Sequence, residues 1–277
     1  MSSLPWAPVD PRFLEHPAFS IFDRAVRERL VALGHFPEPG ELAALAHGIP
    51  SSAAPWFEFE PEDALRVRRA GGFDRFIAGT ARIPTRPGSY HDLFGALIWL
   101  HFPRLKSALH RMQLASSSGV RGPRENAATH FDESGVVVAS SDPSVFRALG
   151  ALEWPEVFWQ RRAALEASTR FLGFGHGLLD ALRVPQPRLM GMALFAQVSP
   201  ARLALSAADF RVFLDRELSQ RVPEFLAEPA RLQPLPVLGV PGWSSAQSPE
   251  LYADERYFRR ARQRSRARAG VAFVELD

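Results

Sequence analysis

The side chains with the clearest chemical capacity are two adjacent pairs and one isolated histidine. His91-Asp92, Asp132-Glu133 and His176 supply imidazoles and carboxylates, which bind divalent metal ions or transfer protons. We expect His91, either Asp132 or Glu133, and His176 to lie around one cleft despite their separation in the sequence. The expected metal ligands are His91, Asp132, Glu133 and His176, and the expected catalytic groups include His91, Asp92 and His176.

The basic side chains add a second set of candidates. Lys106 is the one lysine among 33 basic residues, and the others are arginine. A buried amine can lose its proton or hold an anion as a compact charge, so Lys106 joins the expected catalytic groups, the alternative being a lysine that has simply persisted. Arg86, Arg121 and Arg124 flank the same region and are expected to bind phosphate or carboxylate of a substrate, although the arginine-rich composition weakens the evidence for each.

The pair His91-Asp92 has two interpretations. The same doublet is typical of a class of helical metal-dependent phosphohydrolases, but the other histidine and aspartate spacings of that class are not convincing here. The alternative is structural, because Ser89 and Asp92 have the spacing of a capping box and His91 would then be an exposed residue of the first helical turn.

Structural alternatives also exist for the other two candidates. Asp132 and Glu133 fall in a predicted hairpin turn that ends at Gly135, where acidic residues are favoured without any function, and we favour that interpretation. His176 lies within Gly173–Gly177, whose three glycines each cost about 1 kcal/mol in a helix. Close approach of another backbone, a bound ligand or a kink would each explain them.

Absent residue types narrow the chemistry. The chain has no cysteine, which excludes disulfides, thiolate zinc sites, iron–sulfur ligation and a cysteine nucleophile. The sequence also contains no nucleophile elbow, phosphate-binding loop or His-Glu-x-x-His motif. Histidine and carboxylate without thiolate suit zinc, iron or manganese, so a divalent metal of this kind is the expected cofactor.

The elements that must position these side chains are two helices and a hairpin. An apolar helical stripe begins near residue 89, and Pro103 starts a second helix that runs to about Gln113. Ala127–Phe131 and Val136–Ser140 alternate like strands, and the acidic tetrad Asp132–Gly135 between them predicts a hairpin turn.

Elsewhere the pattern predicts more helix than strand. Short strands are predicted at Trp56–Phe59, Leu65–Arg69 and Leu189–Val198, a long glycine-interrupted helix at Pro155–Leu182, and extended loop at Pro223–Pro241. The predicted fold class is therefore α+β, mostly helical, with helices packed around a small antiparallel sheet or hairpin.

Charge divides the chain into two parts. We expect residues 1–255 to form one globular domain and residues 256–277 to form a basic C-terminal tail. Acidic and basic residues balance over most of the chain, whereas Arg256–Arg268 holds seven arginines, which predicts weak, non-specific nucleic-acid binding that falls steeply with salt. A solvated terminal arm is the alternative, and a chain that ends near Glu255 is expected to stay folded.

The sequence also gives an expectation about location. The first residues show no basic region followed by an apolar stretch, and the longest apolar run, Leu93–Leu100, is too short to cross a bilayer. We therefore expect a cytoplasmic protein with no membrane contact.

Five separate segments of the chain resemble a known bacterial family. They are Tyr90–Lys106, Arg121–Asn126, Thr129–Gly135, Phe174–Leu179 and Leu235–Trp243. Together they resemble the family of domains of unknown function numbered 3025, in order and over roughly residues 10–260. The resemblance implies almost nothing about chemistry, because the family is named for its lack of a known function.

Three function classes remain open at this point. The preferred hypothesis is an enzyme that acts on a small anionic metabolite, assisted by a metal through the histidine and carboxylate groups. The alternatives are a nucleic-acid-associated protein that uses the basic tail and a non-catalytic binding or scaffold protein. The sequence does not indicate an oligomeric state.

Overall fold

Two separate sheets and the helices around them make up the protein. The structure is a computed structural model that describes residues 8–51, 53–114, 122–259 and 271–277. About 55% of the residues are helical and 14% lie in strands, so the prediction of a mostly helical α+β fold is confirmed. The prediction of a small antiparallel sheet is wrong, because the larger sheet has five strands of mixed direction and the smaller sheet is parallel.

The five-stranded sheet is built around β3, in which all six residues are buried. Its apolar sequence suits a strand that is covered on both faces. β4 pairs with β3 antiparallel, β5 pairs with β3 parallel, and β6 and β7 both pair with β5. The strands are β3 (Gly135–Ser140), β4 (Thr169–Gly173), β5 (Met190–Val198), β6 (Gln233–Pro236) and β7 (Val274–Leu276).

A second, smaller unit lies earlier in the chain. Its two parallel strands are β1 (Glu58–Pro61) and β2 (Arg82–Thr85), joined by helices α4 (Ala64–Arg69) and α5 (Phe73–Thr80). The strand predicted at Leu65–Arg69 is wrong. The preceding aspartate, Asp63, accepts hydrogen bonds from the first backbone N–H groups of α4, which is the signal of a helix start.

Four helices between the two sheets carry the candidate site residues. They are α6 (Tyr90–His101), α7 (Pro103–Leu114), α8 (Pro123–Ser134) and α11 (His176–Arg183). The predicted helix pair is confirmed by α6 and α7. The Ser89 hydroxyl accepts the N–H of Asp92 at the start of α6, and buried Asp215 accepts the N–H of Leu105 at the start of α7, 2.8 Å away.

The predicted hairpin at Ala127–Ser140 is wrong in its first half. Residues 123–134 form the single helix α8, with Pro123 at its first position, and β3 follows at Gly135 without a turn. The buried residues of this helix are Ala127, Ala128, Phe131 and Asp132, a helical spacing that the apparent strand alternation concealed. Asp132 and Glu133 therefore lie on a helix face and need no turn chemistry.

The long helix predicted at Pro155–Leu182 is also wrong. The segment forms a π-helical turn, Glu156–Gln160, then α10 (Arg162–Ser168), β4 and α11. Five residues pair with β3 in β4, with Phe171 opposite Val138. That pairing joins positions far apart in sequence, so no local pattern in this segment reveals it.

The remaining helices cover the large sheet and the N-terminal side. The stretch predicted as extended loop, Pro223–Pro241, instead contains the last residues of the long helix Ala207–Phe225, short 3₁₀ turns and β6. These helices are α1 (Arg12–Glu15), α2 (Arg24–Ala32), α3 (Pro39–Leu45), α9 (Pro143–Gly150), α12 (Pro200–Leu203), α13 (Ala207–Phe225) and α14 (Pro249–Ala253).

Both ends of the predicted basic tail contribute to the core. Tyr257 and Phe258 are buried near its start, and β7 lies near its end, with Val274 and Leu276 buried. The Phe273 ring also lies 5.4 Å from that of Phe146, centroid to centroid. Most of the arginines of the tail, at positions 260–268, lie outside the described residues.

We expect Leu276→Ala to lower the free energy of unfolding by about 2 kcal/mol, because Leu276 is 2% exposed in β7. Glu275→Ala is the matched control, since its exposed side chain lies on the same strand and should matter by less than about 0.5 kcal/mol. Urea unfolding measures both. Equal stability of the two variants would show that β7 does not pair with β5 in solution.

Candidate metal site

The four helices α6, α7, α8 and α11 and the β1–β2 unit enclose a cavity of about 410 Å³. The four helices supply most of the polar part of its wall, while α4, α5 and β2 supply much of the apolar part. The cavity brings together His91, both candidate carboxylates and His176, and adds Asp92 and Lys106 to them. The residues concerned are His91, Asp92, Lys106, Asp132, Glu133 and His176.

Helical spacing explains why residues distant in sequence share this cavity. Residues three, four or seven positions apart lie on one face of a helix, and each helix turns such a face inward. α11 contributes its first residue, His176. The positions with this spacing that line the cavity include His91, Gly95 and Trp99 of α6, Lys106, His110 and Gln113 of α7, and Thr129, Asp132 and Glu133 of α8.

The Glu133 carboxylate lies between two imidazoles. His91 Nε2 is 3.3 Å from Glu133 Oε2, and His176 Nε2 is 3.4 Å from Glu133 Oε1. One ligand atom from each residue can be chosen so that all three lie within 4.8 Å of one another. Ligand atoms about 2.1 Å from a tetrahedral ion are separated by about 3.4 Å. The two contacts to Glu133 match this separation, and the three side chains lie close enough together to share one ion.

The same contacts determine the charges of the cluster. Hydrogen bonds from His176 and His91 hold the pKa of Glu133 well below its usual range. Hydrogen bonds to Asp92 and to Glu133 raise the pKa of His91 to about 9. At neutral pH the carboxylates of the cluster are therefore ionised and His91 is protonated. A bound cation would replace the His91 proton.

Asp92 orients the His91 ring from the side opposite Glu133. Its Oδ1 lies 3.4 Å from His91 Nδ1, which leaves Nε2 facing Glu133. Burial acts to raise the pKa of Asp92, but hydrogen bonds from Arg86 and His91 outweigh burial and lower it. Arg86 binds this carboxylate through two nitrogens, at 2.7 and 2.9 Å.

Lys106 and Asp132 form a buried ion pair beside the cluster. Lys106 Nζ lies 2.5 Å from Asp132 Oδ1, and each side chain is 8% exposed. Burial acts to raise the pKa of Asp132, but the charges of Lys106 and His176 outweigh it and lower the pKa. The same oxygen lies 3.9 Å from His176 Nδ1, an atom that is buried without a hydrogen-bond partner among the described residues. Asp132 thus lies on the Nδ1 side of the His176 ring, and it is not one of the three candidate ligands that cluster together.

The glycines around His176 are explained by close approach to α8. A Cβ on Gly175 would overlap with the backbone nitrogens of Ser134 and Gly135. A Cβ on Gly177 would lie 2.7 Å from Glu133 Oε2 and 3.1 Å from the Glu133 carbonyl oxygen. These glycines let the first turn of α11 approach Glu133 closely enough for His176 to contact the carboxylate.

The three arginines expected to bind substrate have different positions. Arg86 lines the cavity but is paired with Asp92. The Arg124 guanidinium is directed elsewhere and donates to the carbonyl oxygen of Pro223, 3.1 Å away. Arg121 lies outside the described residues.

Sequence reasoning missed two cavity residues, His110 and Asp74. His110 lies one helical turn after Lys106 on α7, and its Nδ1 is 3.6 Å from Asp74 Oδ1 of α5. The four-residue spacing from Lys106 was the one signal available for His110. No local signal connected Asp74 to α7.

One comparison with known proteins gives a match. The model of the family described as "Protein of unknown function (DUF3025)" matches residues 57–262, well over half of the chain and all of the cavity residues. No curated protein and no solved structure matches the chain.

We expect Gly177→Ala to destabilise the protein by about 1–3 kcal/mol, because its Cβ would force α11 away from Glu133. Gly95→Ala is the matched control on α6. Its Cβ would lie 3.8 Å from the His176 ring, an ordinary contact, so helix propensity should leave it at or above wild-type stability, by up to about 1 kcal/mol. Urea unfolding compares the two variants, and equal effects would contradict the close approach of α11 and α8.

Proposed function

The chain belongs to the DUF3025 family, whose description states no activity, and we propose from the site that it is a metal-dependent enzyme acting on a small anionic metabolite. One observation carries the proposal: two imidazole Nε2 atoms face the two oxygens of one carboxylate in the wall of a cavity. Zinc, iron and manganese are the ions that suit these ligands.

The ligand set favours a catalytic rather than a structural ion. Structural zinc sites use four protein ligands, whereas catalytic sites use three and leave a position open, and two histidines with one glutamate is a set used in metallohydrolases. His91, Glu133 and His176 supply three ligands, and the cavity lies beside them. A bound molecule can therefore reach the open position.

The charges of the cavity wall support binding of a cation first. Five carboxylates line the cavity, while the fixed cations are Arg86 and Lys106, each already paired with an aspartate. An anionic metabolite would thus find its main positive charge on the metal ion. The acidic residues are Glu62, Asp74, Asp92, Asp132 and Glu133.

The protein side chains then have separate roles. His91, Glu133 and His176 hold the ion. Asp92 is within hydrogen-bonding distance of His91 Nδ1 and orients that ring, as outer partners commonly do for metal-binding histidines, and Asp132 lies 3.9 Å from His176 Nδ1. Lys106 keeps Asp132 ionised in its buried position. A divalent ion in this place would act as a Lewis acid on an oxygen of the bound metabolite.

Two further aspects of function belong to the same proposal. We propose a cytoplasmic location, as the sequence predicts. Among the described residues, no helix combines the length and the apolar character needed to cross a bilayer. Nucleic-acid binding through the basic tail depends mainly on arginines outside the described residues, and no observation on the described part favours it or a scaffold role.

We expect the wild-type protein, freed of metal with a chelator and then dialysed, to bind one zinc or manganese ion per chain in isothermal titration calorimetry. Glu133→Gln and His91→Ala should each weaken binding by more than about 100-fold, since losing an outer partner alone costs about 10–100-fold. Elemental analysis of protein purified without chelator checks the natural ion.

The control for these variants is His130→Ala, which removes an exposed histidine on the same helix as Glu133. It should bind metal like the wild type. Absence of stoichiometric metal, combined with no change in melting temperature on addition of divalent ions, would refute the proposed function.

Asp132→Asn tests the supporting role of the buried pair. We expect it to weaken zinc binding by about 10-fold and to destabilise the fold by about 3 kcal/mol, because Lys106 is left as an unpaired buried charge. Adding Lys106→Met should restore stability without restoring zinc affinity. If stability and affinity recover together, Asp132 acts on the fold and not on His176.

A further inference from the structure

We propose that the cavity contains a second binding subsite, formed by His110 and Asp74, which holds a hydrogen-bonding group at the end of the substrate far from the metal. This inference rests on the proposed function, because it describes the substrate of the same cavity. The substrate class that follows is an elongated small molecule with an anionic head, an apolar middle and a terminal hydroxyl or amide N–H.

The first observation is an unused buried nitrogen. The His110 side chain is 6% exposed and lines the cavity, and its Nε2 is buried without a hydrogen-bond partner among the described residues. A buried polar atom left without a partner costs about 1–3 kcal/mol. Such a cost is normally offset by a ligand or a water that completes the hydrogen bond.

The second observation is the neighbour of the other ring nitrogen. Asp74 Oδ1 lies 3.6 Å from His110 Nδ1, so the carboxylate favours the tautomer with its proton on Nδ1. Nε2 then carries the lone pair, on a side chain that lines the cavity. Nε2 can therefore accept a hydrogen bond, and its partner must be a donor such as a hydroxyl or an amide N–H.

The third observation is the separation of His110 from the metal ligands. The His110 ring lies 5.9 Å from the ring of Trp99, and Trp99 follows His91 by eight residues on α6, about 12 Å along the helix axis. Ala96 of α6 and Ile77 of α5 also line the cavity. Trp99, Ala96 and Ile77 thus give an apolar part to a wall that also contains the paired Lys106 and Asp132.

The geometry does not make the second subsite another metal site. Within the described residues, the one group of three histidine or carboxylate ligands close enough to share an ion is His91, Glu133 and His176. His110 has a single carboxylate at ion-pair distance. A hydrogen-bonding role is what this pair can supply.

Hydroxamic acids test the subsite because they chelate metals and can carry chains of chosen length. The probes are straight-chain hydroxamic acids of increasing length, each in a methyl-ended and a hydroxyl-ended form, titrated into zinc-loaded protein by calorimetry. We expect the hydroxyl to improve binding by about tenfold at one chain length, where it reaches His110, and not at shorter lengths.

Two variants test whether the gain in affinity from the hydroxyl comes from His110. His110→Leu should abolish the advantage of the hydroxyl while leaving zinc affinity and melting temperature close to wild type, and His110→Gln should keep part of the advantage through its amide oxygen. His130→Ala is the control and should retain the full gain. If His110→Leu does not fold, His110→Gln against wild type still decides the question.

The outcomes separate the two proposals. Two results would overturn the subsite without affecting the proposed metal site. In the first, the protein binds zinc but the hydroxyl improves binding at no chain length. In the second, the hydroxyl improves binding equally in wild type, His110→Leu and His110→Gln. Absence of zinc binding overturns the metal site and, with it, a substrate held between a metal and His110.

Discussion

The position of one carboxylate, that of Glu133, constrains everything around the site. It must lie within reach of two imidazoles from different helices, and at the same time against the first turn of α11. That is sterically possible because Gly177 has no side chain. Since α8 continues directly into β3 and α11 follows β4, the pairing of these two strands determines how closely the two helices approach. The sheet therefore sets the geometry of the site although it contributes no residue to it.

The buried pair of Lys106 and Asp132 is not explained by stability. Removing two charges from water costs several kcal/mol per ion, and well-packed apolar residues of similar size are often as stable or more stable. What the pair does supply is an ionised oxygen near His176 Nδ1, held inside the protein by the neighbouring amine. Arginine would place a longer, planar guanidinium there and not a compact charge. This agrees with the single lysine in a chain that otherwise uses arginine as its basic residue.

The sequence predicted the helix pair α6–α7 and the residue types of the site better than it predicted the sheet. Local signals, such as the Ser89 cap and Pro103, decide where those helices begin. At α8 an apparent strand alternation concealed the helical spacing, whereas β4 was missed because its pairing with distant β3 leaves no local periodicity. His110 and Asp74 were missed for the same reason, because their relation is created by the packing of α5 against α7.

The two ends of the cavity are held by parts of the fold with different support. The end with the candidate metal ligands rests on helices joined to a five-stranded sheet. Asp74 belongs to a unit with a two-stranded sheet, and such a sheet is marginal by itself. That unit depends on contacts with α6 and α7, such as the Phe57 ring, 5.1 Å from that of Trp99, and the hydrogen bond from Trp56 to Ser107. Local opening of a protein begins where such contacts are few. We therefore expect the small unit to open locally at a lower cost in free energy than the helices that carry His91, Glu133 and His176.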